Sequence, residues 1–379
     1  MSRPAGRRPR PRAARGASAV GRRFEVEVGP VAHGGHFVAR LSDSDGGRVV
    51  FVRHALPGER VLLEITEGTE GDRFWRGDAV EVLSASADRV AAPCPYAGPG
   101  RCGGCDFQHV DLSAQRALKA AVVSEQLRRL AQLDVDVTVE AVPGDEDGLR
   151  WRTRQRYVEL PGGGRAMRKH RSHDTVPVEE CLLEAPAGPS YEVRGRRFQV
   201  ADGGFWQVHP GAPEALVGAV LSALDPRPGE RALDLYAGVG LFSRFLSDAV
   251  GPSGRVAAVE GDRAASALSE ANCPGVLARA GDVASVLAGG LPPEWDQADV
   301  VVLDPPRAGA KRAVVEQVVA RGPRAVAYVA CDPAALARDV AIFGEHGYRL
   351  ASLRAFDVFP MTSHVEVVAE LVRADADLQ

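Results

Sequence analysis

The chain has 379 residues, of which 45% are hydrophobic and 25% are charged, and its formal net charge is −4. This composition is ordinary for a globular protein of two or three domains. No apolar stretch approaches the ~18–20 residues that a membrane helix needs, and the Arg-rich start lacks the apolar core of a secretory signal, so we expect a cytoplasmic protein.

Basic residues are concentrated in two segments. Met1–Arg23 carries eight Arg and no acidic residue, and Arg150–Arg171 carries eight Lys or Arg against one Glu. Local basic patches, rather than net charge, indicate nucleic-acid binding. We interpret residues 1–23, which are rich in Arg, Pro, Ala and Gly, as a disordered basic tail that adds nonspecific phosphate contacts to RNA.

Residues 24–85 have the pattern of an all-β domain. Five short stretches alternate between apolar and polar residues and are separated by turn residues. They are Phe24–Val28, His36–Arg40, Val49–Arg53, Arg60–Ile65 and Trp75–Val82. Five strands in about sixty residues favour a small barrel of the oligonucleotide-binding type.

Residues 86–203 form a central segment of mixed α and β pattern that contains four of the six cysteines, which are Cys94, Cys102, Cys105 and Cys181. Disulfides are not expected in a cytoplasmic chain. Four thiolates can bind zinc or an iron–sulfur cluster. Structural zinc sites usually contain two close pairs, and only Cys102 and Cys105 form such a pair, but the residues alone leave both metals open.

Two further elements of the central segment have a recognisable period. Leu112–Leu133 is predicted as one long amphipathic helix, with Leu118, Val122, Leu127 and Leu130 on or near one stripe. Trp151–Tyr157 alternates as a strand does, which places Arg150, Arg152, Arg154 and Arg156 on one face. We interpret that face as an RNA contact, because four like charges repel each other unless a polyanion covers them.

From about Gly204 to the end, strands and helices alternate, which predicts a doubly wound α/β sheet of the Rossmann-like type over residues 204–379. The predicted strands are Arg231–Leu235, Val256–Glu260, Ala298–Leu303 and Ala325–Ala330. The predicted helices are Ala212–Leu224, Leu241–Ala249, Ala264–Ala271, Ala313–Val319 and Ala334–Phe343. Leu350–Val358 and His364–Leu371 are expected to close the domain as an antiparallel pair.

A nucleotide-type site is predicted where the first of these strands ends. Gly238 and Gly240 let a ligand approach the backbone at a helix N-terminus, but Ser243 stands where a dinucleotide fingerprint has its third glycine. Glu260 ends the next strand, where an acidic residue can hold ribose hydroxyls. This combination fits S-adenosylmethionine better than a dinucleotide.

Asp304-Pro305-Pro306 follows a later strand and strengthens that interpretation, because two prolines make a rigid loop without N–H donors. Methyltransferases that act on exocyclic amines place an aromatic residue after such a pair. Arg307 stands there in this chain, which argues against amine chemistry.

Cys331 and Glu366 are the candidate catalytic residues. Cys331 lies between a strand and a helix that begins at Pro333, and a thiol at a helix N-terminus is expected to have a lowered pKa. A thiolate that adds to carbon 6 of uracil places negative charge on carbon 5, which can then accept a methyl group. Glu366 is the candidate base that removes the carbon 5 proton. The target base must leave its stack to reach such a site.

Two alternatives compete with this prediction. The first is another RNA base methyltransferase, acting on carbon 5 of cytosine or on an exocyclic amine. Cytosine enzymes usually have Pro before the nucleophile, whereas Ala330 precedes Cys331 here. The second is an RNA-binding protein that has lost catalysis, against which the presence of both Cys331 and Glu366 argues.

Taken together, these motifs resemble those of the bacterial RNA 5-methyluridine methyltransferases over nearly the whole chain after residue 23. The segments that carry the resemblance are Cys102-Gly-Gly-Cys105, Phe205-Trp-Gln207, Asp234–Gly240, Asp304-Pro-Pro-Arg307, Cys331-Asp-Pro333 and Phe359–Glu366. The family combines a TRAM-type barrel, an iron–sulfur domain and a methyltransferase domain, and it modifies uridine in tRNA or 23S rRNA.

The resemblance implies a role for each matching position. Cys331 corresponds to the nucleophile and Glu366 to the base, while Gln207, Tyr236, Glu260 and Asp304 correspond to residues that contact the cofactor. The four central cysteines correspond to ligands of a [4Fe–4S] cluster. The helix near Leu112–Leu133 is expected to pack on the methyltransferase domain, and the family favours a monomer.

Overall fold

The computed structural model describes residues 16–42 and 46–374, so most of the predicted N-terminal tail lies outside the described residues. The chain divides into two compact units. One contains the residues up to Ala91 together with Gly98–Arg101, and the other contains Ala92–Ala97 and the residues from Cys102 onward. None of the helices in the described ranges is both long enough and apolar enough to cross a membrane.

The first unit is a closed five-stranded barrel with the order β1-β2-β3-β5-β4. Alternate side chains point inward, as in β4, where Val61, Leu63 and Ile65 are buried. This alternation confirms the predicted barrel and all five strands. The strands are β1 (Arg23–Ala32), β2 (His36–Arg40), β3 (Val49–Arg53), β4 (Arg60–Glu67) and β5 (Phe74–Ser84).

The second unit is built on an eight-stranded sheet with the order β14-β13-β12-β15-β16-β18-β17-β6. Strands β12 to β16 are parallel, and β18 runs antiparallel to both β16 and β17. Its strands are β6 (Val139–Ala141), β12 (Arg231–Leu235), β13 (Arg255–Glu260), β14 (Leu277–Ala280), β15 (Val300–Leu303), β16 (Ala325–Ala330), β17 (Tyr348–Asp357) and β18 (Glu366–Arg373).

Helices cover both faces of this sheet. All residues of β15 and β16 are buried, which explains why these parallel strands appear as continuous apolar runs in the sequence. One core lies against α1, α5, α6 and α7, and the other against α2, α3 and α4. The helices are α1 (Leu112–Gln126), α2 (Ala212–Leu224), α3 (Leu241–Val250), α4 (Arg263–Asn272), α5 (Val283–Gly289), α6 (Lys311–Ala320) and α7 (Pro333–Glu345).

The central segment adds two small antiparallel sheets to the second unit. One has the order β7-β8-β9 and the other pairs β10 with β11. Their strands are β7 (Val158–Glu159), β8 (Arg165–Arg168), β9 (Thr175–Val178), β10 (Glu192–Val193) and β11 (Arg196–Arg197). The segment also supplies β6 and α1, so its elements share the core of the parallel sheet, where Val123 and Leu127 are fully buried.

Helix α1 differs from its prediction in length and in its buried side. It ends at Gln126 and continues as a π-helical turn over Leu127–Ala131. Its buried side chains include Gln115, Lys119 and Gln126, while the predicted stripe residue Leu130 is exposed. The sequence pattern missed this polar side because Gln and Lys normally lie at the surface.

Candidate active site

The active-site loops lie at the carboxyl edge of the sheet, where β12 is flanked by β13 and β15. The strand order reverses at this point, so the loops diverge and leave a crevice for a ligand. The crevice is a cavity of about 1000 Å³. It is large enough for a cofactor and a nucleoside together.

The turn after β12 brings the backbone close to this cavity. Tyr236, Gly238 and Gly240 all have positive φ, at 65°, 54° and 91°. A Cβ on Gly240 would lie 2.8 Å from Cys273 Sγ and from Ser269 Oγ, so only glycine fits without movement. Tyr236 and Gly238 line the cavity. Gly240 is the N-cap of α3 and is not among the described residues that line the cavity.

Glu260, at the end of β13, holds the turn from the opposite side of the crevice. Gly238 N donates to Glu260 Oε2 at 2.9 Å, and Asp262 N donates to Glu260 Oε1 at 2.7 Å. The carboxylate is thereby fixed where it lines the cavity. Its position suits a partner that carries hydroxyl donors, such as a ribose.

Asp234 lies beneath the turn and is fully buried. Its Oδ2 accepts hydrogen bonds from Ser243 N at 2.8 Å and from Ser243 Oγ at 2.5 Å. Burial raises the pKa of Asp234 to about 6, although these hydrogen bonds oppose the shift. Ser243 occupies the position at which a dinucleotide fingerprint has its third glycine, and in this structure it holds a buried carboxyl group.

Asp304 ends β15 and faces the same cavity. Burial, and then the nearby Asp234 and Glu260, raise the pKa of Asp304 to about 7. Glu260 and Asp304 in the crevice, with Asp234 buried beneath it, favour a cationic ligand, because a positive charge relieves the mutual repulsion of their carboxyl groups. S-adenosylmethionine carries such a charge on its sulfonium.

The loop that follows Asp304 is held from below by Asp339 in α7. Its Oδ2 accepts from Ala310 N at 2.7 Å and from the Tyr328 hydroxyl at 2.5 Å. Both Asp339 and Tyr328 are buried. This pair fixes the position of the Pro305–Gly309 loop, and hence of Arg307.

Cys331 and Glu366 meet because of the sheet register. Ala330 at the end of β16 pairs with Val367 in β18, so Cys331 follows this pair and Glu366 precedes it at the same edge of the sheet. Glu366 lies near enough to Cys331 to raise the pKa of its thiol. Both side chains line the cavity that Gln207, Tyr236, Gly238, Glu260 and Asp304 also line.

The prediction of a lowered pKa for Cys331 is wrong. Burial, followed by the nearby Glu366, raises the pKa of Cys331 to about 11, and Arg307 opposes the shift. The helix N-terminus offers little compensation, because the Asp332 side chain already accepts from Ala335 N at 2.8 Å. Burial and Asp304 also raise the pKa of Glu366 well above its usual value.

Arg307 and His364 also line the cavity, and neither received a role in the sequence analysis. Arg307 Nη2 lies 3.2 Å from His364 Nε2. Burial and then Arg307 lower the pKa of His364 to about 4. The imidazole is therefore neutral, with Nε2 able to accept from the guanidinium.

Cys94, Cys102, Cys105 and Cys181 gather around a second, smaller pocket, together with Arg152 and Met167. Gly104 N donates to Cys102 Sγ and Gln108 Nε2 donates to Cys105 Sγ, both at 3.4 Å. Burial raises the pKa of Cys105 to about 12. Within residues 16–42 and 46–374, no three Cys, His, Asp or Glu side chains are grouped closely enough to hold a metal ion.

The predicted arginine face at residues 150–156 is wrong in its geometry. The stretch is not a regular strand, and Arg150 has a φ of +56°. Arg152 lines the cysteine pocket, whereas Arg154 Nη1 donates to the carbonyls of Gly203 and Gly204 at 3.1 and 2.5 Å. The stretch therefore does not align the four arginines as a regular strand would, and their contact with RNA stays a prediction.

Two family models match the chain. A TRAM domain matches residues 17–80, and a tRNA (Uracil-5-)-methyltransferase model matches residues 294–374. A crystal structure of the Pyrococcus abyssi tRNA (uracil-54, C5)-methyltransferase with S-adenosyl-L-homocysteine aligns over 92% of this chain and 99% of that chain. Its TM-score of 0.63 at 20% identity shows a common fold.

Similar sequences cover nearly the whole chain. An uncharacterized RNA methyltransferase from Streptomyces avermitilis is 44% identical, over 93% of this chain and 98% of its own length. The 23S rRNA (uracil(1939)-C(5))-methyltransferase of Chromohalobacter salexigens is 31% identical, over 92% of this chain and 89% of its own length. The chain therefore belongs to the TRAM-containing RNA (uracil-5-)-methyltransferases, which take their methyl group from S-adenosylmethionine.

Proposed function

We propose that this enzyme methylates carbon 5 of a uridine in 23S rRNA through a covalent adduct with Cys331. The observation that carries the proposal is the shared cavity, which is lined by the Cys331 thiol, by the carboxyl groups of Glu260, Asp304 and Glu366, and by the glycine-rich turn. The ribosomal substrate is favoured by the relatives from Chromohalobacter salexigens and Thiobacillus denitrificans, which are 31% and 30% identical and are named for 23S rRNA.

In the first step, Cys331 reacts as its thiolate, the S–H proton having been lost: Sγ bonds to carbon 6 of the flipped uracil, and the electrons of the carbon 5–carbon 6 double bond move toward carbon 5 and oxygen 4. A thiol with a pKa of about 11 is a weak nucleophile at neutral pH. A cation bound beside Asp304 favours the ionised forms of the neighbouring acids and of the thiol. Cofactor binding is therefore expected to activate Cys331.

In the second step, carbon 5 bonds to the methyl group that S-adenosylmethionine supplies, and the sulfonium leaves as a neutral thioether. Glu366 then removes the proton from carbon 5. The electrons of that C–H bond restore the double bond and expel Cys331 as a thiolate. Glu366 suits this role because it is 4% exposed and its pKa is raised, which makes its carboxylate a stronger base than an ordinary one.

The remaining cavity residues are proposed to bind and orient the two ligands. Gln207, Tyr236, Gly238, Glu260 and Asp304 are assigned to the cofactor, and Gly240 is assigned to the shape of the turn. Arg307 is positioned to stabilise negative charge that develops on the pyrimidine, since its guanidinium reaches the neutral His364 at the same end of the cavity.

We further propose that Cys94, Cys102, Cys105 and Cys181 hold a [4Fe–4S] cluster with a structural role. The four thiols surround one pocket, and the chain resembles a family that has an iron–sulfur domain. Structural zinc sites usually contain two close cysteine pairs, and only Cys102 and Cys105 form such a pair here. Anaerobic purification should give four irons per chain, and one zinc without iron would contradict the assignment.

Methyl transfer from labelled cofactor tests the function directly. Unmodified 23S rRNA and unmodified tRNA are offered separately to wild type and to Cys331→Ala, and the nucleosides are then analysed. We expect labelled 5-methyluridine in 23S rRNA with wild type alone. Label in tRNA would move the substrate assignment, while label in cytosine or adenine, or turnover by Cys331→Ala, would contradict the mechanism.

A further inference from the structure

The loop between β17 and β18 (Val358–Val365, the β17–β18 loop) leads directly into Glu366 and is held by residues far away in sequence. Residues of the segment Asp106–Lys119 supply the hydrogen bonds that hold it. This segment begins immediately after Cys105. None of the mechanistic steps proposed above uses these contacts.

Asp106 makes the most direct of these contacts. Its Oδ2 accepts from Ser363 N at 3.0 Å and from Ser363 Oγ at 2.9 Å. The backbone N–H groups of Asp106 and Phe107 both donate to Met361 O at 3.0 Å. Four hydrogen bonds therefore connect two residues of the segment with two residues of the loop.

Gln115 reinforces the same contact from the buried side of α1. Its Oε1 accepts from Met361 N at 2.8 Å, and its Nε2 donates to the carbonyls of Phe107 and Val110 at 3.2 and 2.9 Å. Met361 has a φ of +63°, which is costly for a side chain of its size. The surrounding hydrogen bonds hold it in that conformation.

Lys119 fixes the start of the loop. It is 1% exposed, and its Nζ donates to Asp357 Oδ1 at 2.5 Å and to Phe359 O at 3.0 Å. Asp357 ends β17, so the loop is held at its entrance by Lys119 and near its exit by Asp106. Ser363 lies three residues before Glu366, with His364 between them in the chain.

Asp106 acts at a distance from the reacting atoms. It lies outside the set of described residues that line the cavity, whereas His364 and Glu366 belong to that set. We propose that Asp106 is a positioning residue for Glu366: its carboxylate holds Ser363, so that β18 begins with Glu366 in the cavity that Cys331 also lines. The role assigned to Glu366 rests on the proposed function above, but the holding of the loop does not.

Kinetics on four proteins test the catalytic consequence. Asp106→Ala removes both hydrogen bonds to Ser363, Asp106→Asn keeps an acceptor oxygen, and Asp136→Ala is an exposed aspartate control. We expect turnover of Asp106→Ala to fall about 10²-fold, as small misplacements of catalytic groups do. Asp106→Asn and Asp136→Ala should stay close to wild type, and the affinity for S-adenosylmethionine should be unchanged in all four.

The covalent adduct provides a readout that a merely destabilised protein would not change. If Glu366 is misplaced, methylated uridine remains attached to Cys331, so Asp106→Ala should accumulate a denaturation-resistant RNA–protein complex with normal substrate. Turnover equal to wild type, or a loss of turnover without more adduct and with weaker cofactor binding, would overturn the proposal.

Hydrogen exchange keeps the test independent of the chemistry. Peptides that cover residues 359–366 should exchange faster in Asp106→Ala than in wild type or Asp136→Ala, because the Ser363 amide loses its acceptor. Unchanged exchange would overturn the positioning role even if the enzyme methylates uridine. A wild type that makes no 5-methyluridine, with faster exchange in Asp106→Ala, would contradict the proposed function and leave the loop contact supported.

Discussion

The carboxyl edge of the parallel sheet and the central segment serve the same cavity through different kinds of residue. The sheet presents Glu260, Asp304 and Cys331 at the ends of three strands, each directed into the cavity. The central segment contributes buried polar side chains, such as Gln115 and Lys119, which contact the β17–β18 loop from behind. One region supplies chemical groups and the other fixes their positions.

This difference teaches that the two regions respond differently to substitution. A residue of the sheet edge can be replaced by an isostere with little change in packing, so its loss is expected to appear in the reaction rate. A buried ion or amide of the central segment has partners whose own desolvation depends on it, so its loss is expected to appear in stability as well.

The largest effect is predicted for the sheet edge. Glu366→Gln keeps the volume of the buried side chain but removes the base, so turnover should fall by about 10²–10⁴-fold. The adduct on Cys331 should accumulate at the same time, because methyl transfer precedes loss of the proton. Single-turnover assays with denaturing gels measure both.

Glu370→Gln is the matched control for this substitution, since Glu370 lies on the same strand and accepts a hydrogen bond from Ser352 Oγ at an exposed position. It should leave turnover and adduct unchanged. Normal turnover by Glu366→Gln would show that another group removes the proton and would break the distinction between the two regions.

The next effect is predicted for the central segment. Lys119→Met leaves the fully buried Asp357 without its closest cation, which lies at 2.5 Å. Removing one partner of a buried pair costs about 3–5 kcal/mol in the free energy of unfolding. Urea denaturation measures the loss.

Arg354→Met is the control, because Arg354 pairs with Glu140 at 2.7 Å on the surface. An exposed pair contributes about 0–1 kcal/mol. Equal losses in the two variants would mean that the buried pair contributes no more than the surface pair, and the comparison between the regions would lose its energetic basis.

The sequence predicted the sheet edge well for a physical reason. Buried parallel strands are continuous apolar runs, and functional residues follow where such runs end, as Asp304 follows β15 and Cys331 follows β16. The strands of the barrel were predicted equally well, because apolar and polar residues alternate along them. The two strands that close the sheet were also predicted as an antiparallel pair, which the register of Glu366 with Phe356 confirms.

Other features depend on contacts between distant segments, which periodicity does not encode. The short α5 and β14 were missed because each has too few residues to show a clear period. The buried polar side of α1 could not be predicted from an apolar stripe. Its partners Asp357 and Met361 lie about 240 residues further along the chain, so the local sequence does not reveal them. The raised pKa of Cys331 depends on burial in the folded protein and then on Glu366, which the pairing of β16 with β18 brings near.

A smaller effect is predicted for the glycine turn. Gly240→Ala adds a Cβ 2.8 Å from Cys273 Sγ and from Ser269 Oγ, in a backbone with a φ of +91°. Gly322→Ala also requires a positive φ, of +63°, but its Cβ meets nothing within 4 Å. The left-handed backbone costs each variant about 1–2 kcal/mol. Thermal denaturation should therefore show a larger loss for Gly240→Ala, and equal losses would mean that Cys273 and Ser269 move aside freely.

The smallest effect concerns how cofactor affinity depends on pH. Asp304 has a pKa of about 7 in the ligand-free cavity, and a bound cation must lower it because the positive charge favours the carboxylate. Above pH 7 Asp304 is ionised before and after binding, so its own contribution to the affinity for S-adenosylmethionine no longer changes with pH. Below pH 7 binding must release a proton, so the affinity should fall by about tenfold per pH unit.

Calorimetric titrations measure that slope between about pH 5.5 and about pH 8.5, the range in which Asp304 changes charge. Asp304→Asn has no such proton and should bind more weakly, with a flatter pH profile.

The raised pKa of Asp304 also affects the stability of the fold, which it lowers. The unfolded chain ionises this carboxyl group near pH 4, so the free energy of unfolding declines as pH rises from about 4 to 7. The carboxyl groups of this cavity thus lower the free energy of unfolding and strengthen the binding of a cation, which suits a charged methyl donor. A pH-independent affinity for S-adenosylmethionine in wild type would contradict that account.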